Sequence, residues 1–377
     1  MKVLINALGI VNSGGISVLE KLIKELIKSD NSIIFICNKN DAIEQFILKY
    51  KAYSNVKFEV VIYKGFLHRM IIENFFFKKI IINHKVDLIY NFSGTRQIFI
   101  KTLQLTKVHN LLFYSKTLDD YYKNNFQFLL WIKHIFLKRL VFKFMLNGSK
   151  YIEIQARHVK DCLFNFINIK EKVFYVKSDI NVSDASFRTP KHYDFSKKIN
   201  FLYIVGPHFE YLHKNLSDFT SAILNLDKDI DFEINITLTN KQLSNSKVWD
   251  SSLNSKTNFL GYISDQEKIT KLFCDNTILI STSIIETLGL HVIEGIKNGV
   301  ITIAPDEDYA NIVYGENMFK YELFNKISLS NTIMNVINYN ESYSDRILSI
   351  QDDLRQSEMS KFGSILDVFD KVVNVQK

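Results

Sequence analysis

Two glutamates eight positions apart, Glu286 and Glu294, are the residues of this sequence best placed to do chemistry. They flank a segment that reads as the end of a strand, a loop, a helix and a tight turn. If the helix begins near Thr287, Glu286 lies at its mouth and Glu294 lies about two turns in. A helix N-terminus offers free N–H groups and the positive end of the helix dipole, which suit a phosphate. Gly289 would let the backbone approach such a ligand closely.

The elements around the two glutamates are predicted to form a parallel α/β unit. The apolar, β-branched run from Thr277 to Thr282 is typical of a buried strand. Gly299 allows a left-handed helix end before Val300 to Ile303 starts another parallel strand. The alternative is an ordinary βαβ unit with surface acids on its helix.

The stretch from Ser281 to Pro305 resembles the motif of glycosyltransferase family 4, in which two Glu separated by seven residues open a helix and a Gly closes it. The resemblance implies a retaining enzyme with the GT-B fold and a nucleotide-sugar donor. It implies that Glu286 is catalytic and faces the hydroxyl groups of the donor sugar, and that Glu294 binds the nucleotide ribose. It also implies further donor contacts at Thr287, Leu288, Gly289 and Leu290.

A second segment that matches the family begins at Ile199, where a strand of a second Rossmann-like half ends at Gly206. The resemblance makes Gly206 a donor contact and places a Lys and an Arg nearby to hold the donor pyrophosphate. Lys214 matches the Lys, whereas Pro207 stands near the place of the missing Arg. The site is therefore one cation short unless Arg157 or another residue supplies it. A surface position at the start of a helix is the alternative for Lys214.

Two glycine-containing loops are further donor candidates. Gly14 and Gly15 follow the first strand, and in the resembled family this loop lies over the donor phosphates and the acceptor. A bare turn is the alternative. The loop lacks G-x-G-x-x-G, so a dinucleotide site is not predicted. Tyr262, after Gly261, resembles the loop residue that lies against the nucleotide base.

Polar residues at strand ends of the first half are candidates for the acceptor side. His109 and Asn110 resemble a strand-end pair in family members that act on bacterial surface polysaccharides. The resemblance implies that both face the cleft, with His109 catalytic near the reacting carbon. Ser93 opens a polar loop after another strand, and Arg157 opens the helix after the last strand of the domain. A packed or surface histidine is the alternative for His109.

Charge is distributed unevenly along the chain. Residues 1–195 hold 30 Lys and Arg against 16 Asp and Glu, a net +14, and the remainder holds 17 against 24, a net −7, within the overall +7. A basic half predicts an anionic partner, which could be a membrane surface, a lipid-linked phosphate or nucleic acid. A solvated surface is the alternative.

The segment from Asn125 to Leu146 is the most membrane-like part of the sequence. Apolar residues cover most of its helical circumference, and basic residues with one tryptophan interrupt it: Trp131, Lys133, Lys138, Arg139 and Lys143. This pattern predicts an interfacial helix that touches anionic lipid. A core helix with a solvated face is the alternative. No run of about 20 apolar residues lacks charges, so no transmembrane helix is predicted.

The length of 377 residues allows two domains. We predict an α/β protein of GT-B fold, with two Rossmann-like, doubly wound domains facing a central cleft. Residues 1–190 form the acceptor-side domain, 198–345 the donor domain and 346–377 a helical segment that crosses back to the first domain. The isolated Cys37, Cys162 and Cys274 indicate a reducing compartment and argue against a zinc site or disulfides.

The predicted function is retaining transfer of a sugar from a nucleotide sugar to a lipid-linked saccharide, in O-antigen-like surface polysaccharide synthesis at the cytoplasmic face of the membrane. No cofactor or metal is expected, because the D-x-D at Asp306 to Asp308 is a weak metal signal. The alternatives are a nucleotide-sugar epimerase of the same fold and a non-catalytic binding subunit of an assembly complex. Nucleic-acid binding is not expected, because no recognised motif supports it.

Overall fold

The computed structural model describes residues 1–10, 13–180, 186–206, 212–263, 265–339, 342–357 and 363–375. Within these ranges the chain forms two separate, fully parallel sheets flanked by helices. The chain divides into two compact units. The first comprises Met1–Tyr114, Leu129–Asp179 and Phe362–Lys377, and the second comprises Ser115–Phe128 and Ile180–Lys361.

The sheet of the first unit has seven strands in the described residues, in the order β3-β2-β1-β4-β5-β6-β7. Their bounds are β1 Lys2–Ala7, β2 Ser32–Asn38, β3 Val56–Val61, β4 Leu88–Asn91, β5 Leu103–Val108, β6 Tyr151–Ile154 and β7 Val173–Val176. Both faces of the central strands are buried, which explains their continuous apolar sequences.

The helices of the first unit cover both faces of this sheet. They are α1 Ser13–Leu26, α2 Asp41–Tyr50, α3 Gly65–Ile71, α4 Phe77–His84, α6 Phe128–Trp131, α7 Leu137–Gly148, α8 Arg157–Phe164 and α16 Ile365–Asn374. Two π-helical turns, Ile72–Phe76 and Ile132–Phe136, join α3 to α4 and α6 to α7. The π turns make each of the two pairs one continuous helical segment.

The sheet of the second unit has six strands in the described residues, in the order β10-β9-β8-β11-β12-β13. The strands are β8 Ile199–Tyr203, β9 Phe232–Ile236, β10 Thr257–Phe259, β11 Thr277–Ile280, β12 Ile301–Pro305 and β13 Phe319–Tyr321. The helices are α5 Lys116–Asn124, α9 Leu216–Leu224, α10 Asn240–Ser244, α11 Gln266–Leu272, α12 Leu290–Lys297, α13 Asp308–Tyr314, α14 Lys326–Ile337 and α15 Tyr343–Gln356. The two sheets confirm the predicted pair of Rossmann-like domains.

Helix α5 belongs to the second unit, although the sequence prediction places it inside a continuous first domain. The ring of Tyr121 stacks on Phe324 with centroids 4.5 Å apart, and its hydroxyl donates to Oδ1 of Asn215 at 3.4 Å. These contacts hold residues 115–128 on the second unit.

Helix α16 completes the core of the first unit from the far end of the sequence. Phe369 is fully buried and packs edge-on against Tyr90 of β4 with ring centroids 5.3 Å apart. The amide of Ile365 donates to Oε1 of Glu25 on α1 at 2.5 Å. Helix α15, by contrast, stays with the second unit, where Ile347 joins the core.

Among the described residues, no helix is long and apolar enough to cross a membrane.

Candidate active site

The second sheet changes its direction of winding between β8 and β11, and the predicted donor residues of the second unit follow strands of this sheet. In open α/β sheets, ligands bind at the carboxyl ends of the strands where the order reverses. The loop 281–289 follows β11 there and leads into α12. Gly206 follows β8 and is exposed, and Tyr262 follows β10 with its side chain about half exposed. Carboxyl ends of parallel strands share one edge of a sheet, so these residues lie along the same edge.

Helix α12 begins at Leu290 and not near Thr287, so Glu294 lies about one turn into the helix instead of two. Gly289 is the reason, because its left-handed conformation (φ 58°, ψ 59°) stops the helix from extending back to Thr287 and Leu288. Glycine is also required sterically. A Cβ on Gly289 would stand 1.9 Å from the hydroxyl oxygen of Tyr314.

The backbone at Lys214 is fastened to the loop that carries Glu286. The carbonyl of Lys214 accepts hydrogen bonds from the hydroxyls of Thr282, at 2.8 Å, and Tyr203, at 2.9 Å. The amide of Ile284 donates to the carbonyl of His213 at 2.7 Å. Two segments that are about 70 positions apart in sequence are therefore held in a fixed relation.

Lys214 and Glu286 form an ion pair, with 2.5 Å between Nζ and Oε1. Burial by itself raises the pKa of the Glu286 carboxyl, but the ammonium of Lys214, with help from His291 and His213, lowers it to about 2. Glu286 is therefore a carboxylate at neutral pH. The structure thus brings the two principal predicted residues together, but as partners of each other.

The N-terminus of α12 has no hydrogen bond from an N-cap side chain. Gly289 provides no side-chain cap, so the first amides of the helix, including that of Leu290, lack the side-chain partner that usually satisfies one of them. Glu294 lies on the same helix and is partly exposed. Pro207, which stands near the place of the missing Arg, lies outside the described residues.

Two residues that sequence reasoning missed, His291 and Tyr314, also lie at this edge. Nε2 of His291 is 3.1 Å from the hydroxyl of Ser281. Tyr314 is fully buried, and its hydroxyl points at Gly289. The sequence did offer a signal for His291, because a histidine stands in the first turn of a helix whose N-terminus is predicted to bind phosphate. For Tyr314 the local sequence carried no signal.

Ser93, His109 and Asn110 follow β4 and β5, next to the switch point of the first sheet between β1 and β4. The hydroxyl of Ser93 donates to the carbonyl of Asn6 at 2.9 Å and accepts from the amide of Gly9 at 2.9 Å. A small cleft beside these strands is lined by Ser93, His109 and Asn110, with the rings of Phe113 and Phe142 on its apolar side. The structure therefore brings Ser93, His109 and Asn110 together.

His109 lies at the surface of this cleft. Crowding by protein atoms, followed by the positive charges of Lys107 and Arg69, lowers the pKa of the imidazole, and Asp179 opposes the shift. Because the residue is also exposed to solvent, hydration moderates the effect of crowding. The imidazole is therefore neutral at pH 7 and can accept a hydrogen bond.

A buried ionic cluster lies behind the cleft. Nζ of Lys107 is 2.7 Å from Oε1 of Glu153 and 2.7 Å from Oδ1 of Asp179. Gln155 donates to the other oxygen of Asp179. The cluster connects β5, β6 and the segment after β7, so its contribution is to the framework of the cleft.

The remaining predicted residues occupy less specific positions. Arg157 is exposed at the first position of α8. Gly14 and Gly15 lie in the first turn of α1 instead of in a loop, and the preceding Val11 and Asn12 lie outside the described residues. Among the described residues, no group of three or more His, Cys, Asp or Glu could hold a metal ion.

The fold matches solved glycosyltransferase structures along its whole length. A glycosyltransferase from Rickettsia africae ESF-5 is 16% identical, with a TM-score of 0.66, covering 100% of this chain and 98% of that one. HepE of Anabaena, solved with UDP and glucose, is 13% identical, with a TM-score of 0.64 and coverage of 98% and 100%. WaaG, a glycosyltransferase involved in lipopolysaccharide biosynthesis, is 10% identical, with a TM-score of 0.66 and coverage of 100% and 99%.

No protein-family model matches the sequence, and no curated protein matches it either. The structural matches confirm the predicted GT-B fold, and at these identities the likeness concerns the fold alone.

Proposed function

We propose that this protein is a retaining glycosyltransferase that moves a sugar from a nucleotide sugar to a lipid-linked saccharide in cell-surface polysaccharide synthesis. The observation that carries the proposal is the ion pair of Lys214 and Glu286 beside the uncapped N-terminus of α12. It lies at the switch point of a sheet whose fold matches glycosyltransferases, one of which was solved with UDP and glucose.

The site suits departure of a nucleoside diphosphate. As the bond to the anomeric carbon breaks, the sugar gains oxocarbenium character and the pyrophosphate gains negative charge. The amides of Leu288 to Leu290 and the ammonium of Lys214 are positioned to stabilise that charge more strongly in the transition state than in the ground state. Donor binding therefore requires Lys214 to share its ion pair with the phosphate.

The ionised state of Glu286 restricts its role. With a pKa of about 2 it has no proton to give at neutral pH, so it can accept hydrogen bonds from sugar hydroxyls and stabilise nearby positive charge. Glu294, one turn further along α12, is assigned to the nucleotide ribose. On the first unit, neutral His109 is suited to accept a hydrogen bond from the acceptor hydroxyl, with Asn110 and Ser93 beside it.

A donor-hydrolysis screen tests this function. Purified protein is incubated with a panel of UDP-, GDP- and dTDP-sugars, and release of the nucleoside diphosphate and the configuration of the sugar product are measured. Slow hydrolysis of at least one donor, lost in Glu286→Gln, is expected. Binding without any turnover would favour the non-catalytic subunit, and an epimerised sugar would favour the epimerase. Absence of both binding and turnover with every donor contradicts the proposal.

We further propose that the first unit docks on an anionic membrane. Two helical segments, 65–84 and 128–148, expose apolar side chains at helical spacing. These side chains, with exposed fractions of about half or more, are Leu67, Ile71, Phe75, Leu129, Leu137, Leu140 and Phe144. Phe66 and Phe142, with ring centroids 6.1 Å apart, connect the two segments. We call this the apolar-basic surface, because exposed lysines lie among the apolar residues: Lys78, Lys79, Lys133, Lys138 and Lys143.

Arg139 is not part of the apolar-basic surface, although the sequence assigns it to lipid contact. It is buried, its Nε donates to the carbonyl of Phe113 at 2.5 Å, and its guanidinium lies 4.6 Å from the ring centroid of Phe166. Exposed apolar patches mark interaction sites, and the combination with lysines fits a surface of anionic lipid, where a lipid-linked acceptor would be found.

A further inference from the structure

His291 holds a fixed position in the first turn of α12, where the sequence predicts main-chain contacts to phosphate. It is the second residue of α12, and its Nε2 is 3.1 Å from the hydroxyl of Ser281. Ser281 directly follows β11, and its amide donates to the carbonyl of Ile303 at 2.9 Å. The imidazole is therefore fixed between the carboxyl end of β11 and the N-terminus of α12.

The corner beside this imidazole contains an unused hydrogen-bonding group. The hydroxyl of Tyr314 lies 1.9 Å from the point where a Cβ would stand on Gly289. It is fully buried and has no hydrogen-bond partner within the described part of the chain. Buried hydroxyls are normally satisfied, so a hydroxyl without a partner among the described residues, beside a helix N-terminus, suits a hydrogen bond with a bound ligand.

The ammonium of Lys214 is already engaged with a carboxylate before a ligand arrives. The ammonium of Lys214 lies against the carboxylate of Glu286, so their charges cancel. A nucleotide sugar brings a pyrophosphate dianion, and a partly buried charge without compensation is costly. A titratable group that takes up a proton at the same moment lowers that cost.

His291 is able to act as that group. Burial, followed by the positive charge of Lys214, lowers its pKa to about 4 in the free protein, while Glu286 opposes the shift. The imidazole is thus neutral at pH 7. A dianion beside it adds a strong opposing field, which favours the protonated form.

The titratable groups that surround this corner come from five elements: β8, the loop after β11, the turn 212–214, α13 and α12 itself. They are Tyr203, Glu286, His213, Lys214, Tyr309, Tyr314 and Glu294. Helix α15 also packs against α12, but its Asp353 is engaged with the amide and side chain of Asn317.

We propose that His291 is the second diphosphate-binding side chain of this site and that it takes a proton from solvent as the donor binds. The inference rests on the proposed function, and it assigns the cation that the sequence leaves missing near Pro207. Lys214 and the imidazolium would then contact the pyrophosphate together, at the N-terminus of α12.

Calorimetric titration of the full chain with UDP-glucose, UDP-galactose and GDP-mannose tests the inference. Affinity is measured between about pH 7.5 and about pH 5.5, in buffers of different ionisation enthalpy, so that proton uptake is measured as well. The pyrophosphate of these ligands does not titrate in this range. For wild type, affinity should rise about 10-fold as the pH falls, with proton uptake, since one charge-assisted hydrogen bond is gained.

Two variants and a control make the result specific. His291→Gln should lose both the pH dependence and the proton uptake. Tyr314→Phe removes only the orphan hydroxyl, so the fold should persist and affinity should fall several-fold at every pH. His192→Gln is the matched control, because His192 is exposed at the amino end of β11 in the same unit, where its carbonyl accepts from Asn276.

An unchanged pH dependence in His291→Gln overturns the inference. Failure of wild type to bind any of these nucleotide sugars at any pH counts instead against the proposed function.

Discussion

Replacement of Glu286 and replacement of Glu294 are expected to change different kinetic constants. Glu286 is proposed to face the sugar as positive charge develops, so Glu286→Gln should lower kcat by about 100-fold. Glu294 is assigned to the ribose, which binds alike in ground and transition states, so Glu294→Ala should mainly raise KM. Steady-state kinetics with the donor found in the hydrolysis screen separates the two. Small and equal effects from both changes contradict the assignment.

Replacing Lys214 should affect both rate and pH dependence. Loss of a phosphate-binding cation in the site should cost about 2–4 kcal/mol of transition-state stabilisation, measured as kcat/KM of Lys214→Ala. The same change removes the charge that keeps the pKa of Glu286 at about 2. The acid limb of the pH–rate profile should therefore move upward, because the carboxylate becomes protonated at a higher pH.

Lys241→Ala is the control for this measurement, since Lys241 is exposed on α10 of the same unit. If Lys214→Ala keeps more than half of the wild-type kcat/KM, the assignment of Lys214 to phosphate binding is wrong.

The residue types of the candidate donor site could be predicted from sequence, but their contacts could not. Glu286, Glu294 and Lys214 were found by motif, and they lie at the carboxyl edge of one sheet. Nothing in the sequence shows that Lys214 pairs with Glu286, because the pair depends on how the turn before α9 meets the loop after β11. His291 was missed because α12 starts at Leu290, which depends on the left-handed backbone of Gly289.

At the scale of secondary-structure elements, the buried cluster of Lys107 should be a major support of β5 and β6. Lys107→Met leaves Glu153 and Asp179 buried without their cation, and such a change typically costs about 3–5 kcal/mol. Hydrogen exchange of peptides from β5 and β6 measures this locally, and faster exchange is expected. Lys49→Met is the matched control, because its ion pair with Glu20 is exposed and should contribute little. Equal exchange in both variants contradicts the prediction.

The apolar-basic surface predicts selective binding to anionic vesicles. Liposome co-sedimentation should show binding to anionic but not zwitterionic vesicles, weakening as salt rises, because each basic residue near the surface contributes on the order of 1 kcal/mol. Charge reversal of Lys133, Lys138 and Lys143 together should abolish binding while donor hydrolysis persists.

The matched control for charge reversal lies on the opposite face of the first sheet. Reversal of Lys21, Lys24 and Lys28, on and just after α1, changes the net charge equally and should leave vesicle binding nearly intact. Equal binding to both vesicle types, or equal loss of binding in both triple variants, contradicts the proposal that the apolar-basic surface docks on a membrane.

At the scale of the whole molecule, two Rossmann-like sheets could be predicted because most of the central strands are short, largely apolar runs followed by a glycine or a polar loop. The grouping of helices could not be predicted in the same way. The sequence around Tyr121 is helical under either assignment, and only its stacking on Phe324 decides which sheet the helix serves. Apolar periodicity predicts which face of a helix is buried, but it does not predict the sheet against which that face packs.

The position of α16 has a consequence for biosynthesis. The groove between α1 and β4 is built mainly from the first hundred residues. Helix α16, whose Phe369 and Ile365 occupy this groove, is translated only after the whole second unit. On the ribosome, the second unit has its sheet complete by Tyr321, whereas the first must wait with an uncovered apolar groove until residues 365–374 emerge. We therefore expect the domain encoded first to finish folding last, and we expect its nascent form to benefit from a chaperone.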